Sequence, residues 1–214
     1  MPTISIVPTI SIVTPWLNAS ELCGVYEKSV KGSQAIVIDN GSDWNHANRL
    51  DEMVVRLGLG SVCIHNKTNQ GFSKANNQGL KVAQGDIVLF MNNDVQCNSG
   101  FLDTVVKDVK PGGLYGVSKL NKHGQDYLEG YCIAAFKKTW LLLGGWEENY
   151  YSGLYWEDND LCWRATQLGI GLHQVHWGVY HFTNYTSRNV LGAYDNSANN
   201  EQKFLARIRG KDSA

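Results

Sequence analysis

The feature that most constrains this chain is a repeated pattern in its first half. Short apolar runs each stop at a polar cluster and are followed by a segment of helical periodicity. Ile10-Ser11-Ile12-Val13 ends at Thr14-Pro15-Trp16-Leu17-Asn18, and Ala35-Ile36-Val37-Ile38 ends at Asp39-Asn40-Gly41-Ser42. Ile87-Val88-Leu89-Phe90-Met91 ends at Asn92-Asn93-Asp94. A continuous apolar run suits a strand covered on both faces. Strands at Thr9 to Val13, Ala35 to Ile38, Ser61 to His65 and Asp86 to Met91 are therefore expected. Helices are expected between them: one capped by Asn18, one over Ala47 to Leu57, and one from Gly71 to Ala83. Such βα repeats make an α/β fold with a mostly parallel sheet flanked by helices. Ligands of these sheets bind at the carboxyl ends of the strands, which is where Thr14, Asp39 and Asn92 to Asp94 fall.

The second half is less regular. Leu114 to Leu120, Tyr131 to Phe136 and parts of His173 to Phe182 read as strands. Lys138 to Leu143 and Asp158 to Leu168 read as helices, the latter with Leu161, Ala165 and Leu168 on one side. A polar linker at Asn196 to Asn200 is expected before a last amphipathic helix. Its Arg207, Arg209 and Lys211 are read as a solvated face. PTISIV at 2–7 repeats at 8–13, and the first copy is expected to be a tail, with an extra edge strand as the alternative. The whole chain is read as one domain, with residues 1–8 a possible extra segment and 196–214 a terminal helix and tail.

Composition excludes several classes. With 43% hydrophobic and 18% charged residues, the chain is not of the disordered type. Its 19 Lys and Arg nearly balance 20 Asp and Glu, so there is no overall pull towards nucleic acid. The five cysteines form no CxxC pair, which argues against zinc ribbons and disulfide scaffolds. No apolar stretch approaches the ~20 residues needed to span a bilayer, and no basic run precedes the first apolar segment. A cytoplasmic location, or a peripheral one at a membrane, is expected.

Three clusters carry chemistry. Asp94 beside Asn92 and Asn93 offers oxygen ligands for a hard cation such as Mg²⁺ or Mn²⁺. Trp156-Glu157-Asp158-Asn159-Asp160 puts three acids at a helix start, one of which could accept a proton from an acceptor hydroxyl. His181, in Val179-Tyr180-His181-Phe182, could complete a metal site with Asp94, although a core histidine is the plainer reading. Asn69 to Gly79 is rich in amides, and Lys74 there could supply positive charge to phosphate.

Taken in order, these segments resemble the family 2 glycosyltransferases of GT-A fold, and most of all the rhamnosyltransferase-type branch. The likeness runs from about Thr9 to about Ser187. It rests on Ile10 to Asn18, Val37 to Ser42, Asn69 to Gly79, Phe90 to Val95, and Gly144 to Glu148 followed by Glu157 to Arg164. The resemblance implies a nucleotide-diphosphate sugar donor (a UDP- or dTDP-sugar) and inverting transfer to a carbohydrate or lipid-linked acceptor. By the same match Thr14, Trp16 and Asp39 would grip the base, and Lys74 or Asn76 the ribose or phosphates. Asn92, Asn93 and Asp94 correspond to the metal motif, with amides where many relatives hold aspartates. His181 would assist Asp94, Asp158 would be the general base, and Glu157 lies beside it. A phage-type enzyme acting on modified DNA bases and a non-catalytic nucleotide-sugar or glycan-binding module are the alternatives.

Overall fold

The computed structural model describes residues 7–153, 155–182 and 197–210. The first PTISIV copy lies almost wholly outside these residues, as do residue 196, the end of the family likeness at 183–187, and Lys211.

The first half alternates as expected. Strand β1 (Ile10–Trp16) leads through a 3₁₀ turn (Ser20–Leu22) into helix α1 (Cys23–Val30), then β2 (Gln34–Asp39), α2 (Trp44–Leu57) and β3 (Val62–His65). Helix α3 (Phe72–Val82) precedes β4 (Ile87–Met91), β5 (Val95–Cys97) and α4 (Phe101–Asp108). β1 runs three residues beyond its expected end. Asn18 does not cap α1: its backbone is left-handed (φ 43°), and its side-chain oxygen accepts from the Asp43 N–H at 2.8 Å. The residue fixes the β1 loop to the start of α2 instead.

The second half holds β6 (Gly113–Gly116), β7 (Lys119–Lys122), β8 (Gln125–Leu128), β9 (Cys132–Phe136) and α5 (Lys137–Leu143). Then come α6 (Glu157–Gln167), β10 (Gly171–Gln174), β11 (Val179–His181) and α7 (Ser197–Ile208). The single strand expected over Leu114 to Leu120 is two, because β7 leaves the sheet and pairs with β8 as a separate hairpin. The linker expected up to Asn200 is already the first turn of α7, where Asn200 is buried and donates to the carbonyl oxygens of Ser152 and Tyr155. In α6 the buried side carries Leu161, Cys162 and Ala165, while Leu168 is exposed.

The central sheet has the order β10-β6-β9-β4-β1-β2-β3. β3, β2, β1 and β4 are mutually parallel, whereas β9 runs antiparallel to both β4 and β6. β2 and β4 are buried along their whole length, which explains their unbroken apolar runs. Alternate residues enter two cores. Ile12, Val37 and Leu89 face Tyr26, Leu50 and Val105 of α1, α2 and α4. Val13, Ile36 and Phe90 face Ala75, Trp140 and Leu161 of α3, α5 and α6. Gly79 lets α3 lie on β1, because a Cβ there would collide with the Val13 side chain. The carboxyl ends of the parallel strands therefore open on one edge, with helices on both sides.

Candidate active site

Asp94 and His181 are 87 residues apart and meet through a small second sheet. β5 continues just beyond Asp94 and pairs antiparallel with β11, setting Val95 opposite His181. The Phe182 N–H donates to the Asp94 carbonyl oxygen at 2.9 Å, which locks this register. His181 Nε2 then lies 3.1 Å from Asp94 Oδ1. Tyr131 stacks on the His181 ring with centroids 4.2 Å apart, and the Tyr131 carbonyl oxygen accepts from the Asn92 N–H at 2.9 Å. Asp94 is buried and His181 is 19% exposed at its side chain, so the pair is sheltered yet reachable.

The acid cluster is held from a different direction. Tyr155 and Trp156 both have left-handed backbones (φ 75° and 79°), a conformation that costs non-glycine residues about 1–3 kcal/mol each. Trp156 is anchored by burial: its ring lies against Phe204 at 5.3 Å and His123 at 5.8 Å, under Lys122 Nζ at 4.1 Å. The kink delivers Glu157 and Asp158 to the first turn of α6. Asp158 Oδ2 accepts from the Gly130 N–H at 3.2 Å, and Oδ1 from the Asn159 N–H at 2.9 Å. Burial pushes the carboxyls of both Glu157 and Asp158 upward, and the nearby Asp158 charge adds to the shift on Glu157. The N–H groups of Gly130 and Asn159 pull Asp158 partly back.

Asp160, the third acid, has another task. It is fully buried and bonded to Arg164 Nε at 2.7 Å, to Arg207 of α7, and to the Tyr151 hydroxyl at 3.2 Å. Arg207 is therefore part of a buried network, not of a solvated face. Arg164 also donates to the carbonyl oxygens of Leu143 and Gly145 at the end of α5.

Asp94, His181, Asn92, Asn93, Glu157 and Asp158 all line one cleft of about 1090 Å³ at the carboxyl edge of the sheet. Lys74 also lines it, its Nζ donating to Gln70 at 3.0 Å. Four expected base- or ribose-binding residues are placed differently. Thr14 is buried, and its hydroxyl is taken by the Tyr26 hydroxyl at 2.9 Å. Trp16 reaches the wall of the cleft but is only 1% exposed and packs edge-on to Tyr26, so no ring face is offered for stacking. Asn76 is buried in α3, where its amide donates to the Phe72 carbonyl oxygen at 3.1 Å. Asp39 is buried behind the cleft, accepting from the Ser42 N–H at 2.9 Å and lying 2.7 Å from His65 Nδ1.

Sequence reasoning missed Glu129, Gly130 and Tyr131, which also line the cleft, as does Glu148 of the Gly144 to Glu148 segment. The five carboxylates Asp94, Glu129, Glu148, Glu157 and Asp158 share it with one lysine among the described residues. The ionised members of this set disfavour an anionic ligand unless positive charge offsets them. Carboxylate oxygen, imidazole nitrogen and amide oxygens around Asp94 form a donor set that fits a divalent ion of the Mg²⁺ or Mn²⁺ kind.

The profile of "Glycosyl transferase family 2" matches residues 11–124, more than half of the chain. This protein belongs to that family. No curated protein matches it in sequence. Among solved structures, it resembles "Mannosyltransferase PcManGT from Pyrobaculum calidifontis in complex with GDP-Man and Mn2+", with a TM-score of 0.66 and 16% identity. That likeness covers 80% of this chain and 55% of the other. It also resembles S. aureus TarS, with a TM-score of 0.61, 15% identity, and 95% of this chain covering 43% of that one. A TarS fragment, 1-349, gives 0.62 and 15% identity, covering 95% of this chain and 72% of the fragment. The chain thus spans about half the length of the first two structures. These glycosyltransferase relatives share its GT-A fold. The matches support the family and the fold, and not the rhamnosyltransferase-type branch. No helix among the described residues is long and apolar enough to cross a membrane.

Proposed function

We propose that this family 2 protein is an inverting glycosyltransferase that moves a sugar from a nucleotide diphosphate to an acceptor hydroxyl, with Asp158 as the base. The observation that carries the reading is the cleft itself: Asp94 with His181, joined through β5 and β11, and Asp158 with Glu157, at the start of α6, line the same cavity.

Asp94 and His181, with the amides of Asn92 and Asn93 beside them, hold the divalent cation. When bound, the cation supplies positive charge to the leaving diphosphate. PcManGT was solved in complex with GDP-Man and Mn²⁺, which supports both a nucleotide-sugar donor and a metal of this kind. Lys74 and the N–H groups at the start of α3 face the donor phosphates. UDP- and dTDP-sugars are the donors to test first, and a carbohydrate or lipid-linked hydroxyl is the acceptor.

One displacement completes the reaction. The acceptor oxygen bonds to the anomeric carbon as the bond from that carbon to the diphosphate oxygen breaks. The acceptor proton passes to Asp158, whose Gly130 and Asn159 contacts keep the carboxylate oriented. Single attack opposite the leaving group inverts the centre. Glu157, neighbouring and raised further, stays protonated over more of the pH range and limits repulsion beside the base.

The test combines binding and turnover. A thermal-shift screen of nucleotide sugars, with and without Mn²⁺, identifies the donor by a rise in melting temperature. Asp158→Asn should then keep the donor-induced shift and lose turnover by a factor of about 10²–10⁴. Near wild-type turnover in that variant refutes the base assignment.

A further inference from the structure

A second cluster of ligating side chains lies on the outer edge of the sheet. β3 is the last strand there, and Cys63 and His65 are two residues apart on it, so they point to the same face. α2 covers that face and carries Asp51. One ligand atom from each of Asp51, Cys63 and His65 lies within 4.8 Å of the other two. His65 Nε2 is 3.0 Å from Asp51 Oδ1, while Nδ1 is 2.7 Å from Asp39 Oδ2.

The geometry points to a structural site for a zinc-class divalent ion, ligated by Asp51 carboxylate, Cys63 thiolate and His65 Nε2, with water in a fourth position. The donor set is mixed sulfur, nitrogen and oxygen, which zinc accepts and a hard cation such as Mg²⁺ does not favour. His65 is already oriented as metal-bound histidines are: its other ring nitrogen faces a buried carboxylate, that of Asp39, which fixes the ring and directs Nε2 outward. Asp51 is 55% exposed and His65 41%, so an ion has a path in and Asp51 can swing. Tetrahedral ligands at about 2.0–2.3 Å from an ion sit roughly 3.3–3.8 Å from one another, so the His65–Asp51 pair at 3.0 Å opens slightly while any pair near the 4.8 Å limit closes by about 1 Å. With the Nδ1 proton held towards Asp39, Nε2 of the neutral ring offers its lone pair, and on binding the Cys63 thiol proton leaves to solvent and the ion takes its place.

The site is distinct from the oxygen-rich one around Asp94. It would pin the edge strand to α2 and, through Asp39, to the end of β2. Its readout is metal binding alone, so it stands or falls independently of sugar transfer.

The test uses the whole chain and Co²⁺, then Zn²⁺. One equivalent of Co²⁺ should produce a thiolate-to-cobalt charge-transfer band in the near ultraviolet, bleached by Zn²⁺. Cys63→Ser should abolish the band, whereas Asp94→Asn should leave it intact. Asp51→Asn, which does not touch the core, should weaken Zn²⁺ binding at least about tenfold in competition with a chromophoric chelator. Asp39→Asn should weaken it by about 10–100-fold, as loss of a carboxylate behind a metal-bound histidine does. No band in the wild-type chain, a band that survives Cys63→Ser, or unchanged Zn²⁺ affinity in Asp51→Asn overturns the assignment.

Discussion

Replacing Arg164 by Met tests whether the buried ion network holds the acid-bearing helix in place. The Arg164 guanidinium donates to Asp160 at 2.7 Å and to the carbonyl oxygens of Leu143 and Gly145 at 2.7 and 2.9 Å. Methionine keeps most of the stem and removes all three bonds. Hydrogen bonds to a charged group contribute about 1.5–3 kcal/mol each, which would sum to more than is expected here. Asp160 retains Arg207 and the Tyr151 hydroxyl, and the stranded carbonyls can recover some water. Breaking one arm of a buried pair costs about 3–5 kcal/mol, and the lower end applies because the other arm survives. A loss of about 3 kcal/mol corresponds to a fall of roughly 6–12 °C in melting temperature for a chain of this size. Urea unfolding followed by fluorescence of the seven tryptophans measures it directly. A loss below about 1 kcal/mol would mean that desolvation of the ions cancels their attraction, and the network would not be what secures α6.

Asn77→Ala should cost about 2 kcal/mol in the same assay, since the amide joins Trp146 N–H, Trp146 carbonyl and Glu148 at 2.8–2.9 Å and leaves buried groups unpaired when lost. Activity should fall on the acid side of a midpoint above the ordinary carboxylate range of about 4, because burial raises Asp158 and only its ionised form accepts a proton; a midpoint at or below about 4 in the pH–rate profile refutes this. Stability runs the other way. Glu157 and Asp158 bind protons more tightly folded than unfolded, so stability is full below their unfolded values and declines as pH rises through their raised folded ones. Glu157→Gln should flatten that decline, read as urea midpoints at about pH 5 and about pH 8. Chelation by EDTA should abolish any donor-induced thermal shift that depends on Asp94, and Asp94→Asn should reproduce the loss.

The parallel half was legible because each strand is an unbroken apolar run that ends in polar residues, and burial on both faces writes that pattern directly. The cleft-edge acids Asp94 and Asp158 were visible for the same reason: they follow a buried strand or open a helix. The burial of Thr14, Trp16 and Asn76 was not legible, because position at a strand or helix end says nothing about which way a side chain turns. Here Tyr26 and the α3 backbone claim them. Arg207 looked like surface charge because its partner Asp160 is 47 residues away. Gly130 carried no signal, and Tyr131 only that of a strand start. Their importance comes from β9 pairing beside β4, a long-range event that no local period records. The start of β7 was merged with β6 and β8 was not read at all, because short, half-exposed strands have little apolar alternation to mark them.

The reversal of β9 has a consequence for how such a scaffold can diversify. Because β9 runs against β4, the loop that precedes it returns to the rim where the parallel strands finish, and Gly130 and Tyr131 ride on that loop. The β7–β8 hairpin just upstream forms its own two-stranded sheet and contributes no strand to the main one. That hairpin packs on α6, so insertions or exchanges in it act on the acid-bearing helix while the parallel strands of the main sheet keep their register. Changes to the hairpin and changes to the parallel strands therefore fall on physically separable stretches of chain.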